Sequence, residues 1–339
     1  MSEPSQHERK CPECAEMVGT GDRFCEGCGT DLLVHRTPVG GAPGPLGEAC
    51  VACGNTELSA DGYCERCGRS QPAARDRMEC DLGVVAGVGD RGRHRSRNED
   101  SMAFAWVGDP GSPRGVVAVV CDGVATTERA DQASQAAADA ALDVLTGALL
   151  DETDAAAVTA AAVDAAMATV TALAEQELPG SAPSCTFVSA VVTPERVTVG
   201  WVGDSRAYWL SDNGTGADDS RQLTVDDTVA AQLVAAGMDP AEAATVYHAH
   251  ALSSWIGADA GDVTPHVVTL EPDGPGAVLL CSDGLWNYLP EAGELAGRRP
   301  AGSTPLAAAA ELTGVALEMG GQDNITVVVI PHPLRSPGR

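Results

Sequence analysis

Eight cysteines before residue 68 fall in one repeated pattern, and that pattern most constrains how this chain can fold. Cys11-Pro-Glu-Cys14 is followed after ten residues by Cys25-Glu-Gly-Cys28, and Cys50-Val-Ala-Cys53 after ten residues by Cys64-Glu-Arg-Cys67. Each cysteine of the second set lies 39 positions beyond its counterpart, the mark of an internal repeat. Two Cys-x-x-Cys knuckles bring four thiolates within tetrahedral reach of one Zn²⁺, and Gly29, Gly54 and Gly68 suit the tight turns beside the metal. A disulfide framework is the competing reading, but the polar start MSEPSQHERK is no secretory signal and a reducing cytosol keeps thiols free. Each knuckle pair spans about 25 residues, too few for an apolar core, so the metal must hold the fold. Four thiolates leave zinc no open position, which makes two structural Zn²⁺ sites the expectation.

The chain carries 21 Lys+Arg against 48 Asp+Glu, a net charge of −27, and Lys10 is its only lysine. Nucleic acid and anionic membranes repel such a chain, and acidic residues outnumber basic ones within residues 1–80 as well. Docking or regulation is therefore expected of the ribbons rather than DNA binding, with a plain spacer as the alternative. Hydrophobic residues make up 44% of the chain, enough for a core, which excludes disorder throughout. No run approaches the ~18 uninterrupted apolar residues of a membrane span, so a cytoplasmic protein is expected.

These features divide the chain into a first ribbon (1–35), a Pro/Gly linker (36–47), a second ribbon (48–72), a polar linker (73–80), a large domain (81–333) and a tail (334–339). In the large domain, Gly115–Cys121, Phe187–Val192, Arg196–Val202, Ala277–Cys281 and Ile325–Ile330 read as buried strands. Ala-rich stretches Ala130–Leu150 and Asp154–Leu178 read as a helical hairpin, with further helices at Thr228–Ala236 and Pro305–Glu318. Strands and helices do not alternate regularly. A layered α+β domain fits better than a doubly wound parallel sheet.

Five aspartates, Asp100, Asp122, Asp204, Asp283 and Asp323, each sit beside a hydrophobic run. One such residue is ordinarily a turn or cap residue. Five gathered at strand ends would repel one another unless a hard divalent cation neutralised them. Oxygen-only ligands favour Mg²⁺ or Mn²⁺ over zinc.

The residues carrying this pattern resemble the metal-dependent protein serine/threonine phosphatases of type 2C, the PPM family, from Asp81 to Ile330. Arg95-Ser-Arg-Asn98-Glu99-Asp100 resembles the family's Arg-x-x-Asn-Glu-Asp segment, and Asp122-Gly123 with Ala133-Ser134 its Asp-Gly motif and helix start. Ser184-Cys185-Thr186 stands where Gly-Thr-Thr is usual. Gly203-Asp204-Ser205-Arg206-Ala207-Tyr208, Leu280–Leu285 and Gly321-Gln322-Asp323-Asn324-Ile325-Thr326 are near-verbatim family segments.

That resemblance implies an α+β fold: a four-layer α-β-β-α sandwich of two antiparallel sheets flanked by helix pairs, here preceded by two small zinc ribbons. It implies that Asp100, Asp122, the Gly123 carbonyl, Asp283 and Asp323 hold two Mn²⁺ or Mg²⁺ ions, with Glu99 orienting metal-bound water. Asp204 with Asp283 would form a weaker third-metal site, and Arg95 would grip the substrate phosphate. The implied reaction is hydrolysis of phosphoserine or phosphothreonine by direct attack of a metal-bridging hydroxide. Phosphorylated proteins would be the substrates, and a bacterial Ser/Thr kinase or its targets the natural partners. Alternatives are a non-catalytic phosphoprotein-binding relative and a zinc-ribbon interaction protein.

Arg91, Arg93, Arg95 and Arg97 alternate, which on a strand would place all four on one face as a local positive field or a solvated edge. Val124-Ala125-Thr126-Thr127 replaces the family's frequent Met-Gly-Gly-His, leaving no proton donor directly after Asp122-Gly123. The Val229–Gly257 segment holds His248 and His250, read as surface residues. Cys80, Cys121, Cys185 and Cys281 lie outside the ribbons; Cys121 and Cys281 read as small buried packing residues.

Overall fold

The structure, a computed structural model, describes residues 9–11, 14–19, 22–41, 49–50, 53–59, 63–69, 71, 74–109, 111–174, 182–212, 219–300 and 302–335. In the first ribbon, β1 (Arg9–Lys10) pairs with β2 (Met17–Val18). Three strands follow as β3 (Val34–Arg36), β4 (Arg77–Asp81) and β5 (Ala86–Asp90). The hairpin of β6 (Ser101–Asp109) and β7 (Ser112–Cys121) leads into helices α1 (Ala130–Leu150) and α2 (Ala155–Ala174). Next come β8 (Ser184–Cys185), β9 (Phe187–Val192), β10 (Val197–Val202), β11 (Arg206–Ser211) and β12 (Arg221–Gln222). A flap holds α3 (Val229–Ala235), α4 (Pro240–Ala243) and β13 (Ile256–Gly257), the last paired with β8. The chain closes with β14 (His266–Leu270), β15 (Gly276–Cys281), α5 (Asp283–Trp286), α6 (Ala292–Arg298), α7 (Pro305–Glu318) and β16 (Ile325–His332).

Two six-stranded antiparallel sheets result, in the orders β14-β10-β9-β7-β6-β3 and β12-β11-β15-β16-β5-β4. The period-two alternation of strands explains why both are sandwiched. In β7, Val116, Ala118 and Val120 face the opposite sheet, while Val117, Val119 and Cys121 face α1 and α2. In β15, Val278 and Leu280 join the inter-sheet core, while Ala277, Leu279 and Cys281 pack under α5, α6 and α7. Strands buried on both faces read as continuous apolar runs. Four layers are thus present, as the resemblance implies.

Alanine makes the helix layer thin. Ala133, Ala137, Ala138 and Ala141 of α1 are fully buried, so the helix backbone lies close to the sheet. α2 is long and apolar enough to cross a bilayer by length and composition, with a mean hydropathy of 1.6. Here its Ala162, Val163, Ala166 and Val170 are buried in the layer formed with α1. Thr228 caps α3 by accepting from the Ala231 amide, and Thr304 caps α7 by accepting from that of Ala307, with Pro305 opening the helix.

Three expectations change. Val34–Arg36, divided by expectation between the first ribbon and the linker, extends the first sheet, pairing antiparallel with Ala105–Val107 of β6. His35 stacks on Trp106 at 3.8 Å between ring centroids, Thr37 exchanges hydrogen bonds with Phe104, and Arg36 pairs with Asp143 of α1. Residues 36–41 of the expected linker therefore lie on the sandwich, and 42–48 fall outside the described residues. Likewise Arg77–Asp81, read partly as linker, is an edge strand whose Met78 is 2% exposed. Its charged outward residues, which blunt an edge, conceal the strand pattern. Finally, Arg91–Arg97 is not a strand, because β5 ends at Asp90 and the chain turns.

Candidate metal centre and the two ribbons

Strand register brings the aspartates to one end of the sandwich. Ser101 opposes Cys121, so Asp100 and Asp122 lie just beyond the same end of the β6–β7 hairpin. In the other sheet Cys281 pairs with Arg206 on one side and Val327 on the other, and Ile325 pairs with Asp90. That register places Asp204, Asp283 and Asp323 at the matching end.

Neighbouring polar groups fix each of them. Asp100 is fully buried; its Oδ2 accepts from the Ser282 hydroxyl at 2.6 Å. The Asp122 amide donates to Thr186 Oγ1 at 3.0 Å, and the Thr186 amide donates to the Asp122 carbonyl at 2.8 Å. Asp283 Oδ2 accepts from Asn287 Nδ2 at 3.2 Å. Asp323 Oδ1 accepts from the Asn324 amide at 2.8 Å, and its Oδ2 pairs with Arg95. The Asp204 carbonyl accepts from Trp286 Nε1 at 2.9 Å; Trp286 also lies under the Arg206 guanidinium, 3.8 Å from the ring centroid. Asp226 grips the same guanidinium through two bonds of 2.9 and 2.7 Å.

Close approach of loops completes the centre. A Cβ on Gly284 would stand 1.9 Å from the Asn324 carbonyl oxygen, so only glycine lets the Asp283 and Asp323 loops meet. Asn324 then ties its own loop to the β5–β6 connection at three points: its Oδ1 accepts from the Glu99 amide, and its Nδ2 donates to the carbonyls of Arg91 and Arg97.

The electrostatics of the cluster fit divalent cations. Burial raises the Asp100 carboxyl to about 6 and the Asp204 carboxyl to about 7. Burial pushes Asp122 and Asp283 well above the usual carboxylate range, and the charges of the other aspartates add to this. Asp100 Oδ1 and Asp283 Oδ1 are buried with no hydrogen-bond partner. Lone pairs held this way, in an all-oxygen set facing one arginine, suit Mn²⁺ or Mg²⁺.

Five aspartates and Arg95 thus converge. The Glu99 carboxylate pairs through Oε1 with Arg97 at 2.7 Å. Arg91 pairs with Asp76 at 3.4 Å, and Arg93 is exposed, so the four arginines form no common stripe. His248 and His250 are both exposed in the flap. Ser282, Thr186, Trp286 and Asn324 position the site, yet the sequence assigns them no role although three stand inside family motifs. The Val124–Thr127 stretch is ordered without glycines: the Thr127 amide and hydroxyl both donate to the Val124 carbonyl.

Each ribbon gathers its four sulfurs within 4.8 Å of one another, with buried and exposed cysteines alternating. Cys11–Cys28 and Cys14–Cys25 lie 3.6 and 3.5 Å apart, and Cys50–Cys67 and Cys53–Cys64 both 3.6 Å. Tetrahedral Zn–S bonds of about 2.3 Å require S···S near 3.8 Å, so the sites fit zinc and no disulfide is formed. The Thr30 hydroxyl, 3.1 Å from Cys28 Sγ, helps hold that thiol down at about 6.

Residues 91–301 match the family model of protein phosphatase 2C, and residues 11–68 match that of the double zinc ribbon. The serine/threonine phosphatase stp of Listeria innocua is 29% identical over 253 residues, covering 74% of this chain and 96% of that protein. The crystal structure of the Mycobacterium tuberculosis serine/threonine phosphatase PstP/Ppp superposes with a TM-score of 0.58 at 28% identity, covering 72% of this chain and 96% of that one. A structure of the PstP catalytic domain in complex with two manganese ions superposes with a TM-score of 0.54 at 29% identity, with the same coverage. With its motifs at the expected strand ends and its family model matched over most of the large domain, the chain belongs to the protein phosphatase 2C family.

Proposed function

We propose that this protein is a Mn²⁺- or Mg²⁺-dependent serine/threonine phosphatase that hydrolyses phosphoserine and phosphothreonine on protein substrates. The carrying observation is the cluster of Asp100, Asp122, Asp283 and Asp323, with buried, unpartnered carboxylate oxygens on Asp100 and Asp283. These four and the Gly123 carbonyl would hold two divalent cations, and Asp204 with Asp283 a weaker third. Bound there, such ions supply a strong nucleophile from water at neutral pH and offset the charge of the phosphate.

The chain's own residues do the rest. Arg95 presents a planar, permanently charged donor fork at the mouth of the cluster and orients the phosphate. Glu99, fixed by Arg97, sets the local field beside Asp100. Val124 offers no proton, so the leaving alkoxide takes its proton from solvent. Phosphoproteins are the substrates, with a Ser/Thr kinase acting on the same targets as natural partner and the cytoplasm as the place of action. The ribbons dock or regulate.

The purified full chain with Mn²⁺ is expected to hydrolyse p-nitrophenyl phosphate and Ser/Thr phosphopeptides, and Asp283→Asn to abolish both. No turnover across Mn²⁺ and Mg²⁺ titrations would overturn the enzymatic reading.

A further inference from the structure

The segment leaving the second ribbon reaches under the loop that carries Asp100. Ala74–Asp76 forms a single 3₁₀ turn. Arg75 Nη2 donates to the Asp100 carbonyl at 3.1 Å, to Ser101 Oγ at 2.9 Å and to the Asp131 carbonyl at 3.4 Å. Its Nη1 reaches Gln135 Oε1 at 3.3 Å. One guanidinium thus joins the start of β6 to the first turns of α1, the helix entered from the Asp122–Gly123 loop.

The backbone of the same turn holds the other side of that loop. The Arg75 carbonyl accepts from Asn98 Nδ2 at 3.0 Å, and the Asp76 carbonyl from the Arg91 amide at 2.8 Å. Ser101 Oγ lies 2.8 Å from Ser134 Oγ, which donates to the Glu99 carbonyl. Residues 91–101 are therefore braced along their length by residues 75 and 76. Upstream, Gln71 Nε2 donates to Cys50 Sγ at 3.3 Å and to the Arg69 carbonyl at 2.8 Å. Gln71 thus contacts a zinc-site sulfur, and Arg75, four positions later in the sequence, contacts the carbonyl of Asp100. Burial draws the Arg75 guanidinium below its ordinary value, opposed by Asp131, Asp100 and Asp139. A cation kept there must be held by its partners, and its loss takes a donor from the Asp100 carbonyl and from Ser101 Oγ.

We infer that Arg75 is a positioning residue through which zinc in the second ribbon sets the divalent-metal affinity of the phosphatase centre. The inference rests on the reading of Asp100 as a metal ligand. Arg75 touches neither substrate nor metal; it fixes the backbone from which the Asp100 carboxylate projects. Coupling through one shared element is reciprocal, so Mn²⁺ bound at the centre also tightens zinc in the ribbon.

The test measures Mn²⁺ binding to the full chain by calorimetry for wild type, Arg75→Ala, Cys53→Ser/Cys67→Ser, and the combination. Arg75→Ala and the ribbon variant are each expected to weaken Mn²⁺ roughly tenfold, and the combination no further, because both cut one connection. Amide exchange at residues 98–101 is expected to rise in all three, while β9 and β10 keep wild-type protection. Arg75→Lys, which keeps the charge and loses the fork, replaces Arg75→Ala if that variant does not fold. With saturating Mn²⁺, the KM for phosphopeptide is expected to stay at its wild-type value. Mn²⁺ affinity within twofold of wild type in either single variant, or fully multiplicative losses in the combination, overturns the inference. A wild-type chain that binds no Mn²⁺ overturns the metal-centre reading, and this inference with it.

Discussion

The Ser282 hydroxyl donates to Asp100 Oδ2 at 2.6 Å and accepts from the Thr326 amide at 2.9 Å, so one buried side chain stitches the two sheets together beneath the metal centre. Ser282→Ala removes a donor from a buried carboxylate and an acceptor from a buried amide. A loss of about 1–3 kcal/mol in unfolding free energy is expected, together with weaker Mn²⁺ binding. Chemical denaturation alongside calorimetry checks this. Unchanged values for both would show that the bond has no energetic consequence.

The four knuckles are not equally relaxed. Gly29, Gly54 and Gly68 take φ of 78°, 70° and 68° after their cysteine pairs, whereas Ala15 takes 60° at the equivalent place. A side chain in the left-handed region costs about 1–2 kcal/mol. Ala15→Gly is therefore expected to slow zinc transfer from the first ribbon to a chromogenic chelator. Equal or faster release would contradict the strain argument.

Zinc removal should divide the twelve cysteines into two classes. The eight ribbon thiols lose their metal and become available to a disulfide reagent. Burial raises the Cys80 thiol to about 11 and lifts Cys121 and Cys281 further, and a protonated thiol is a poor nucleophile. At pH 8, chelation is expected to expose about eight reactive thiols, with the remainder silent until denaturant is added. Twelve fast thiols on chelation alone would mean that the sandwich opens with the ribbons.

Two glycines separate crowding from chain entropy. Gly284→Ala drives a methyl to within 1.9 Å of the Asn324 carbonyl oxygen, so a loss of about 3 kcal/mol or more is expected. Gly314 lies inside α7, where an added Cβ would meet nothing within 4 Å, and Gly314→Ala should add about 0.5–1 kcal/mol. Thermal unfolding of the pair reads both signs directly. A neutral Gly284→Ala would deny the close approach of the two loops.

Much of the chemistry was legible because it is local. Cysteine spacing names a zinc knuckle without reference to anything distant, since two ligands sit within one turn. The aspartates stand out because each follows or precedes an apolar run, and the ends of α1 and α7 because Ala-rich composition, Pro305 and Gly320-Gly321 mark them. β6 leaves no such trace: Met102, Phe104 and Trp106 face one layer and Ala103 and Ala105 the other, so residues 102–106 are all apolar and the period is hidden.

Sequence alone picked out the two four-cysteine sets, the five aspartates and the family resemblance, because each depends on residue type and short spacing. Only the tertiary structure decided where the arginines go, since Arg91, Arg95 and Arg97 find Asp76, Asp323 and Glu99 once the chain turns after Asp90. It also decided that β3 joins the first of the two sheets and that Arg75 reaches Asp100, contacts between residues far apart in the chain. Backbone donors on a sheet edge accept any strand of suitable path, and a guanidinium serves any carbonyls that converge on it. Such pairings leave no periodic trace in the sequence; they follow from which surfaces the folded chain brings together.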